Sequence, residues 1–351
     1  PAGNSPALDR DLIRKFRLRG GEPVSFHRQN VKPFKGRPTV QRVESIGAMQ
    51  PQNYASMKPL DELSVVHPSE PIRFETPEGP LSMRIIDLFA PIGKGQRAII
   101  VAPPRTGKTT LLKQMSEGIR ANHPESLLMM LLVDERPEEV TEMRRAVCDV
   151  GSGWENGFPE VVFSSNDHEA KSHGRISKLM IERAKRYVEM GRDVIILMDS
   201  LTRLGRAFNN LVGSSGRTMT GGLDIRALEI PKQLFGSARK IEHGGSLTII
   251  ATVLVETGSR MDDFIFQEFK GTGNMELVLS RDLANLRIWP AMNLGESGTR
   301  KEEMLLGAEN YEKISKVRRR LMSLAPVKQM ETMLQEMGKA KSNAEFLRNL
   351  A

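Results

Sequence analysis

Short apolar runs alternate with longer amphipathic stretches along most of the chain after Met83. Runs rich in Val, Ile and Leu that are bounded by Gly, Pro or charged residues are typical of buried strands in a parallel sheet. They cover residues 97–102, 127–135, 193–200, 246–254 and 275–280. Before the third run, six residues are spaced along one face of a predicted helix: Ile176, Leu179, Met180, Arg183, Ala184 and Tyr187. The pattern predicts an α/β fold in which helices flank a mostly parallel sheet.

Both ends of the chain depart from this pattern. The N-terminal part has scattered short apolar runs among Arg, Lys and Gly, enough for two or three strands. Six prolines between Gly47 and Met83 exclude long helices and indicate a connector. From Glu309 onward the pattern is helical, and Pro326 divides it. We expect four regions: a β segment at 1–50, a proline-rich linker at 51–82, the α/β core at 83–308 and a helical segment at 309–351.

Composition and charge narrow the function classes only partly. The chain has 351 residues, 39% of them hydrophobic, and a formal net charge of +8. This charge suits a polyanionic partner such as nucleic acid, but also an ordinary basic protein. Cys148 is the single cysteine, which excludes an internal disulfide and fits a reducing compartment. No apolar run approaches the roughly 18 residues of a spanning helix, and a signal-peptide layout is missing. We therefore expect a cytoplasmic protein with no membrane partner.

The sequence APPRTGKT, residues 102–109, follows the first predicted strand and precedes a helix. It matches the phosphate-binding loop G-x-x-x-x-G-K-[ST], with Ala102 where the first glycine usually stands. The free N–H groups and the dipole of the helix start favour phosphate. Lys108 would reach the β and γ phosphates of a nucleotide, Thr109 would give its hydroxyl to Mg²⁺, and Arg105 would add charge. The alternative is an ordinary turn between a strand and a helix.

Acidic side chains stand at the ends of two further predicted strands. Asp199 ends the third strand, where an acid could act on the magnesium ion or its water shell. Asp134 and Glu135 end the second strand, and a glutamate there could orient or activate an attacking water. Acids at strand ends are also common helix N-caps, which is the alternative for each of them.

A set of unusual strings in order along the chain resembles the Rho family of bacterial transcription termination factors. The strings are APPRTGKT, DERPEEVTEM, DVIILMDSLTRLGRAFN, TGGLD, GGSLTIIATVLVETGSRMDD, FKGTGNMEL and SGTRKEE. The resemblance runs from about Leu8 to the C-terminus. It implies a RecA-like P-loop ATPase core, with ATP and Mg²⁺ as cofactors. It also implies a homohexameric ring that moves 5′-to-3′ along single-stranded RNA and dismantles the transcription complex of RNA polymerase.

The resemblance also implies roles for individual residues. Glu135 matches the catalytic glutamate, Arg136 the arginine beside it, and Asp199 the Walker-B acid that acts on magnesium with Thr109. Arg300, in SGTRKEE, resembles an arginine finger that completes the site of a neighbouring subunit, and the alternative is a surface arginine. The nucleotide-binding residues would be Pro104, Arg105, Thr106, Gly107, Lys108, Thr109, Thr110 and Trp289. Trp289 falls where the family has an aromatic that stacks on adenine, and the alternative is a core tryptophan.

Two loops resemble the RNA contacts of the ring's centre. They are residues 213–222 and 257–263, and the residues concerned are Arg217, Thr218, Gly221, Gly222, Ser259 and Arg260. Mobile cationic loops suit sequence-tolerant gripping of a nucleic-acid backbone, although each could be a solvated turn. The N-terminal segment resembles only the later part of the family's OB domain, so we expect a partial OB-like RNA-binding segment.

Two other functions fit parts of the sequence. A related RecA-like ring motor would act on DNA or drive rotation, and it would not need the whole set of Rho-like strings. A non-catalytic nucleotide-binding assembly protein would keep the fold without turnover. Loss of the strand-end glutamate or of the finger arginine would mark that protein, but Glu135 and Arg300 are both present.

Overall fold

The N-terminal region forms two small sheets beside the main body of the protein. The computed structural model describes residues 5–34, 37–148, 158–212, 222–224 and 226–350. The N-terminal elements are β1 (Ala7–Leu8), α1 (Arg10–Lys15), β2 (Val24–Ser25), β3 (Val31–Phe34), β4 (Arg37–Val40) and β5 (Ser45–Ile46). They make one sheet of order β1-β4-β3 and a second of β2 with β5. Five strands exceed the two or three expected, because three of them have only two residues and leave no periodic signal.

The proline-rich connector contains only short elements, as its proline density predicts. They are α2 (Pro51–Ala55), β6 (Val65–Val66) and β7 (Pro71–Ile72). The connector also contributes to the main sheet, because β6 pairs with strand Arg239–Ile241 through Val66 opposite Lys240. A small apolar cluster of Phe16, Val43, Ile46 and Tyr54 holds the N-terminal region together.

The main body is built on a nine-stranded, mostly parallel sheet. Its elements begin with α3 (Leu81–Phe89), β8 (Ile92–Gly93), β9 (Arg97–Ala102), α4 (Lys108–Asn122), β10 (Leu127–Glu135), α5 (Pro137–Cys148), β11 (Glu160–Ser165) and α6 (Ala170–Glu189). They continue with β12 (Asp193–Asp199), α7 (Leu201–Val212), α8 (Glu229–Gly236), β13 (Arg239–Ile241), β14 (Ser246–Leu254), α9 (Arg260–Lys270), β15 (Met275–Val278), α10 (Arg281–Asn285) and β16 (Gly298–Thr299). The α/β fold predicted from the apolar runs is confirmed, and three of the five predicted strands have the predicted bounds.

The sheet is covered by helices on both faces. Its strands follow the order β11-β10-β12-β14-β9-β15-β16, with β13 paired to β14. Successive residues of β10 point to opposite faces, so Met130 and Leu132 join one apolar cluster while Leu131 and Val133 join the other. The first cluster includes side chains of α4 and α5, and the second includes side chains of α6, α7 and α9. Burial on both faces explains why these strands are continuous apolar runs.

The C-terminal region is helical and packs on the first of these clusters. It consists of α11 (Glu303–Leu306), α12 (Ala308–Leu321), α13 (Pro326–Gly338) and α14 (Asn343–Asn349). Met330, Met333 and Met337 of α13 are fully buried there, and Pro326 begins that helix as the sequence predicted. Among the described residues, no helix combines the length and the apolar composition needed to cross a membrane.

The parallel order brings the carboxyl ends of β9, β10 and β12 to one edge of the sheet. The connection of β9 to α4, the end of β10 and the end of β12 therefore lie close together, although they are far apart in the chain. Ligands of open α/β sheets bind at this edge, outside the carboxyl ends of the strands.

Candidate nucleotide-binding site

The loop between β9 and α4 is shaped by two residues with positive φ. Arg105 has φ 67° and Gly107 has φ 83°, so the chain turns sharply into α4, which begins at Lys108. The Thr106 hydroxyl donates to the carbonyl of Pro103 (2.7 Å) and closes the loop. The first N–H groups of a helix have no partner within the helix, so this turn presents hydrogen-bond donors and the positive end of the helix dipole.

Lys108 joins this loop to both strand-end acids. Its Nζ lies 2.6 Å from Asp199 Oδ1 and 3.6 Å from Glu135 Oε1. Thr252 of β14 donates its hydroxyl to the same Asp199 oxygen (2.8 Å). The side chains of Glu135 and Asp199 are 2% and 4% exposed, so three ionisable groups meet in a nearly dry site. The sheet order thus brings together three residues that the sequence singles out separately.

Burial and neighbouring charge alter the proton affinity of this cluster. Burial, with the Asp199 carboxylate adding to it, raises the pKa of Glu135 to about 8. Burial alone would lower the pKa of Lys108, but Asp199 and Glu135 outweigh it and the pKa is raised. A lysine that stays charged beside a carboxyl of raised pKa suits a site that binds an anion and exchanges a proton.

Arg203 also belongs to this site, and the analysis of the sequence missed it. Its Nε lies 3.1 Å from Glu135 Oε1, its Nη2 donates to Glu135 Oε2 (3.3 Å), and its Nη1 donates to the carbonyl of Asp134. Arg203 stands four residues after Asp199, one turn into the helix that follows the strand. Its partners lie on the neighbouring strand β10, so no spacing within the chain could have identified it.

The other predicted residues near the loop take up different positions. Trp289 is 43% exposed, so it is not a core side chain. Its ring covers the loop, because a Cβ built on Gly107 would lie 2.8 Å from Trp289 Cζ3. Arg136 follows Glu135 and is exposed, as are Pro104, Arg105 and Thr110. Thr109, the predicted magnesium ligand, is partly buried in the first turn of α4.

Arg300 is far from this site within its own chain. It directly follows β16, and its N–H donates to the carbonyl of Asn274 (3.0 Å), just before β15. Met275 pairs with Ala98 near the start of β9, so Arg300 lies at the amino edge of the sheet, whereas the loop lies at the carboxyl edge. Five strand steps also separate β16 from β10, which is roughly 24 Å at about 4.8 Å per step.

The predicted RNA-contacting residues are only partly described. Arg217, Thr218 and Gly221 lie outside the described residues. Gly222 has φ 78°, and its carbonyl accepts from Asn209 Nδ2 of α7 (3.1 Å). In the second loop Ser259 is the N-cap position of α9, and Arg260, its first residue, is exposed.

The fold and this loop define a P-loop nucleotide-binding domain. The model of the ATP synthase alpha/beta family, nucleotide-binding domain, matches residues 82–299. A solved structure with a similar fold is that of a prototypical ATPase from the type III secretion system of pathogenic bacteria, with a TM-score of 0.66 and 22% identity over 83% of this chain and 86% of that one.

Relatives over nearly the whole chain narrow the class further. Transcription termination factor Rho of Karelsulcia muelleri is 46% identical over 345 residues, which are 98% of this chain and 88% of the relative. The Rho of Aquifex aeolicus is 46% identical over 99% of this chain and 78% of the relative. The chain belongs to the Rho family of transcription termination factors, and the resemblance in the sequence is confirmed. The chain spans only part of the length of other relatives: 64% of the Rho of Rhodopirellula baltica, at 46% identity, and 48% of the Rho of Streptomyces lividans, at 47% identity.

Proposed function

We propose that this protein is an RNA-dependent ATPase that moves 5′-to-3′ along single-stranded RNA as a homohexameric ring and terminates transcription by acting on the RNA polymerase complex. The proposal combines membership of the Rho family with the chemistry of the site. We also propose the cytoplasm as its place of action, and the four regions expected from the sequence as its domains, with residues 1–50 as a partial OB-like RNA-binding segment.

The residues present fit ATP with Mg²⁺. The positive φ of Gly107 turns the loop into the start of α4, whose free N–H groups can receive a phosphate, and Lys108 supplies a largely buried positive charge. Glu135 Oε1 is buried and accepts no hydrogen bond from the described residues, so it remains able to accept one from a water. The described residues contain no cluster of three or more His, Cys, Asp or Glu side chains for a metal, which suits an ion held by Thr109, Asp199 and the phosphates rather than by a protein cage.

Each residue of the site then has a distinct task. When bound, MgATP supplies the transferable phosphoryl group and the metal charge. Lys108 would bind the β and γ phosphates, while Thr109 and Asp199 would hold the metal and its water shell. Glu135, whose raised pKa brings it near neutrality, would take the proton of the attacking water. Arg203 would keep the Glu135 carboxylate oriented, and Trp289 would stack on the adenine.

Arg300 would complete the site by acting on the transferring phosphate, and Arg136 stands exposed beside Glu135 as a further candidate. Because Arg300 lies at the opposite edge of its own sheet, it would reach a phosphate only in a neighbouring subunit. An arginine supplied in this way stabilises the charge of the transition state. This requirement for a second copy supports a closed assembly, since a head-to-tail contact that repeats forms a ring when the rotation closes.

The contacts of α7 support RNA dependence most directly. One helix carries Arg203 at the catalytic glutamate, Arg206 paired with Asp262 (Nε to Oδ1, 2.8 Å), and Asn209 bonded to Gly222. Asp262 also accepts from the Thr257 hydroxyl (2.6 Å), so it anchors the loop that precedes Arg260. A shift of either predicted RNA loop would therefore move the helix that orients Glu135.

The decisive experiment measures ATP hydrolysis with and without a pyrimidine-rich RNA, and with DNA of the same sequence. We expect RNA to stimulate the wild type more than DNA does. Glu135→Gln should bind ATP with nearly unchanged affinity and lose about 10²- to 10⁴-fold in kcat, since an amide keeps the shape but accepts no proton.

The matched control is Glu138→Gln, an exposed residue three positions on in α5, which should hydrolyse ATP at the wild-type rate. Turnover that ignores RNA, or that responds equally to DNA, would contradict the proposed RNA motor. Normal hydrolysis by Glu135→Gln would show that this carboxylate is not the base.

A further inference from the structure

A chain of three polar side chains, Ser164, His173 and Asp134, lies directly behind the catalytic glutamate, and the first two are buried. His173, in the first turn of α6, places Nδ1 2.7 Å from the hydroxyl of Ser164 in β11. Its other ring nitrogen, Nε2, faces Asp134 Oδ1 at 4.0 Å. The residues Ser164 and His173 are 1% and 5% exposed. None of these contacts has a part in the binding of phosphate, metal or adenine described above.

Asp134 controls the direction in which Glu135 points. Its φ is 56°, a conformation that non-glycine residues seldom adopt. The register of β10 with β11 shifts at this place, where Val133 pairs with Ser164 but Glu135 pairs with Ser165. A bulge of this kind re-aims the side chain that follows it. The buried position of Glu135 near Lys108 and Asp199 therefore depends on how Asp134 is held.

Asp134 is held by Arg203 on one side and faces the His173 ring on the other, at an electrostatic rather than a hydrogen-bond distance. On one side Arg203 contacts its carbonyl and its Oδ2 (3.5 Å), and on the other side His173 Nε2 faces Oδ1. The geometry favours one tautomer, because the Asp134 carboxylate that faces Nε2 favours a proton on that nitrogen, and Nδ1 is then free to accept from the Ser164 hydroxyl. Burial lowers the pKa of His173, although Asp134 acts against that effect, so the ring is neutral at physiological pH. It contributes a directed N–H rather than a second full charge that would compete with Arg203.

We propose that His173 is a positioning residue for hydrolysis: Ser164 supports its tautomer, and its Nε2–H steadies the Asp134 carboxylate and hence the direction of Glu135. The inference rests on the proposed function, since it assigns a role relative to the catalytic glutamate. The proposed role of His173 does not involve nucleotide binding, so loss of this role should lower kcat with little effect on the KM for ATP.

Two substitutions separate the two nitrogens of the ring. The amide of asparagine lies where Nδ1 lies, so His173→Asn keeps a partner for Ser164 and loses the group that faces Asp134. The amide of glutamine reaches the place of Nε2, so His173→Gln does the reverse. We expect about a tenfold lower kcat for His173→Asn, a kcat within about threefold of wild type for His173→Gln, and ATP KM values within about twofold for both.

The control is His168→Asn, the same substitution in an exposed histidine whose Nδ1 lies 3.4 Å from the same Ser164 hydroxyl. It should retain the wild-type kcat. Ser164→Ala should lower kcat in the wild type but add no loss to His173→Gln, which has no nitrogen at the Nδ1 place. Melting temperatures of all variants test folding. If His173→Asn is not folded, Ser164→Ala tests the inference from the other nitrogen of the ring and should show the same selective loss of kcat.

The possible outcomes distinguish this inference from the proposed function. If wild type shows RNA-stimulated turnover and Glu135→Gln abolishes it, but His173→Asn keeps full kcat, the positioning role is wrong and the proposed function stands. A larger loss for His173→Gln than for His173→Asn would assign His173 to packing against Ser164 and would likewise overturn the inference. If the wild type itself lacks RNA-stimulated turnover, the proposed function is wrong, and this result is distinct from a failure of the positioning role alone.

Discussion

Glu189 at the end of α6 gives a quantitative test of how the N-terminal region is attached to the core. Its side chain is fully buried and accepts from both terminal nitrogens of Arg19 (2.9 and 2.6 Å) and from the N–H of Leu60 (2.7 Å). Arg186 Nη2 lies 3.1 Å from the same carboxylate. One carboxylate thus joins the N-terminal segment, the connector and the core. We predict that Glu189→Gln, which keeps the shape and removes the charge, is strongly destabilising.

The expected magnitude follows from the burial of the partners. The Arg186 side chain is only 4% exposed, so loss of Glu189 leaves a buried guanidinium with little compensation, and removing one partner of a buried pair costs about 3–5 kcal/mol. Arg19 is 30% exposed and adds less, because water partly replaces its partner. Arg186 keeps two other carboxylate partners, the half-buried Glu182 at 3.5 Å and the buried Glu22 at 3.9 Å, which recover part of the loss. We therefore expect a fall of about 3 kcal/mol in the free energy of unfolding.

Urea unfolding followed by circular dichroism measures this change, and limited proteolysis locates it. Cleavage near Gly20 should become faster, because Arg19 loses its anchor. The matched control is Glu331→Gln in α13, where an exposed carboxylate lies 3.3 Å from Lys328 and the expected change is below about 0.5 kcal/mol. If Glu189→Gln costs less than about 1 kcal/mol, or if cleavage at Gly20 is unchanged, the reasoning about this buried charge is wrong.

Two further predictions concern the assembly and the pH dependence of stability. Rings of Arg300→Ala alone and of Lys108→Ala alone should not hydrolyse ATP. Mixing the two variants should restore part of the RNA-stimulated activity, because Lys108→Ala subunits supply the arginine to intact sites of their neighbours. No recovery in verified mixed rings would refute the trans role of Arg300. Burial raises the pKa of Asp87 from 3.8 to about 7 while its carboxylate accepts from the N–H groups of Phe74 and Glu75. The contribution of Asp87 to the free energy of unfolding is then complete below about pH 4 and is lost as the pH rises through 7. Asp87→Asn should therefore gain stability relative to the wild type between pH 4 and 8. A difference in urea midpoints between the two proteins that stays constant with pH would contradict the pKa shift.

The sequence alone determined the elements of this protein and the class of its site. Strands 97–102, 127–135 and 246–254 have their predicted bounds because a strand buried on both faces must be apolar throughout, which leaves a local signal. The loop between β9 and α4 was equally readable, since the residues 102–109 that match the phosphate-binding pattern are neighbours in the chain. The sequence singled out the acids Glu135 and Asp199 because each ends an apolar run, which marks the end of a strand.

Only the tertiary structure decided which of these residues meet. The order β10-β12-β14-β9 brings Lys108 to Asp199 and Glu135 across strands distant in sequence, and no local pattern encodes that pairing. Arg203 and His173 stayed hidden for the same reason, because each acts through a contact with a neighbouring strand. The contact of Trp289 with Gly107 and the distance of Arg300 from its own site likewise arise from packing and register, since these depend on the whole sheet rather than on neighbours in the chain.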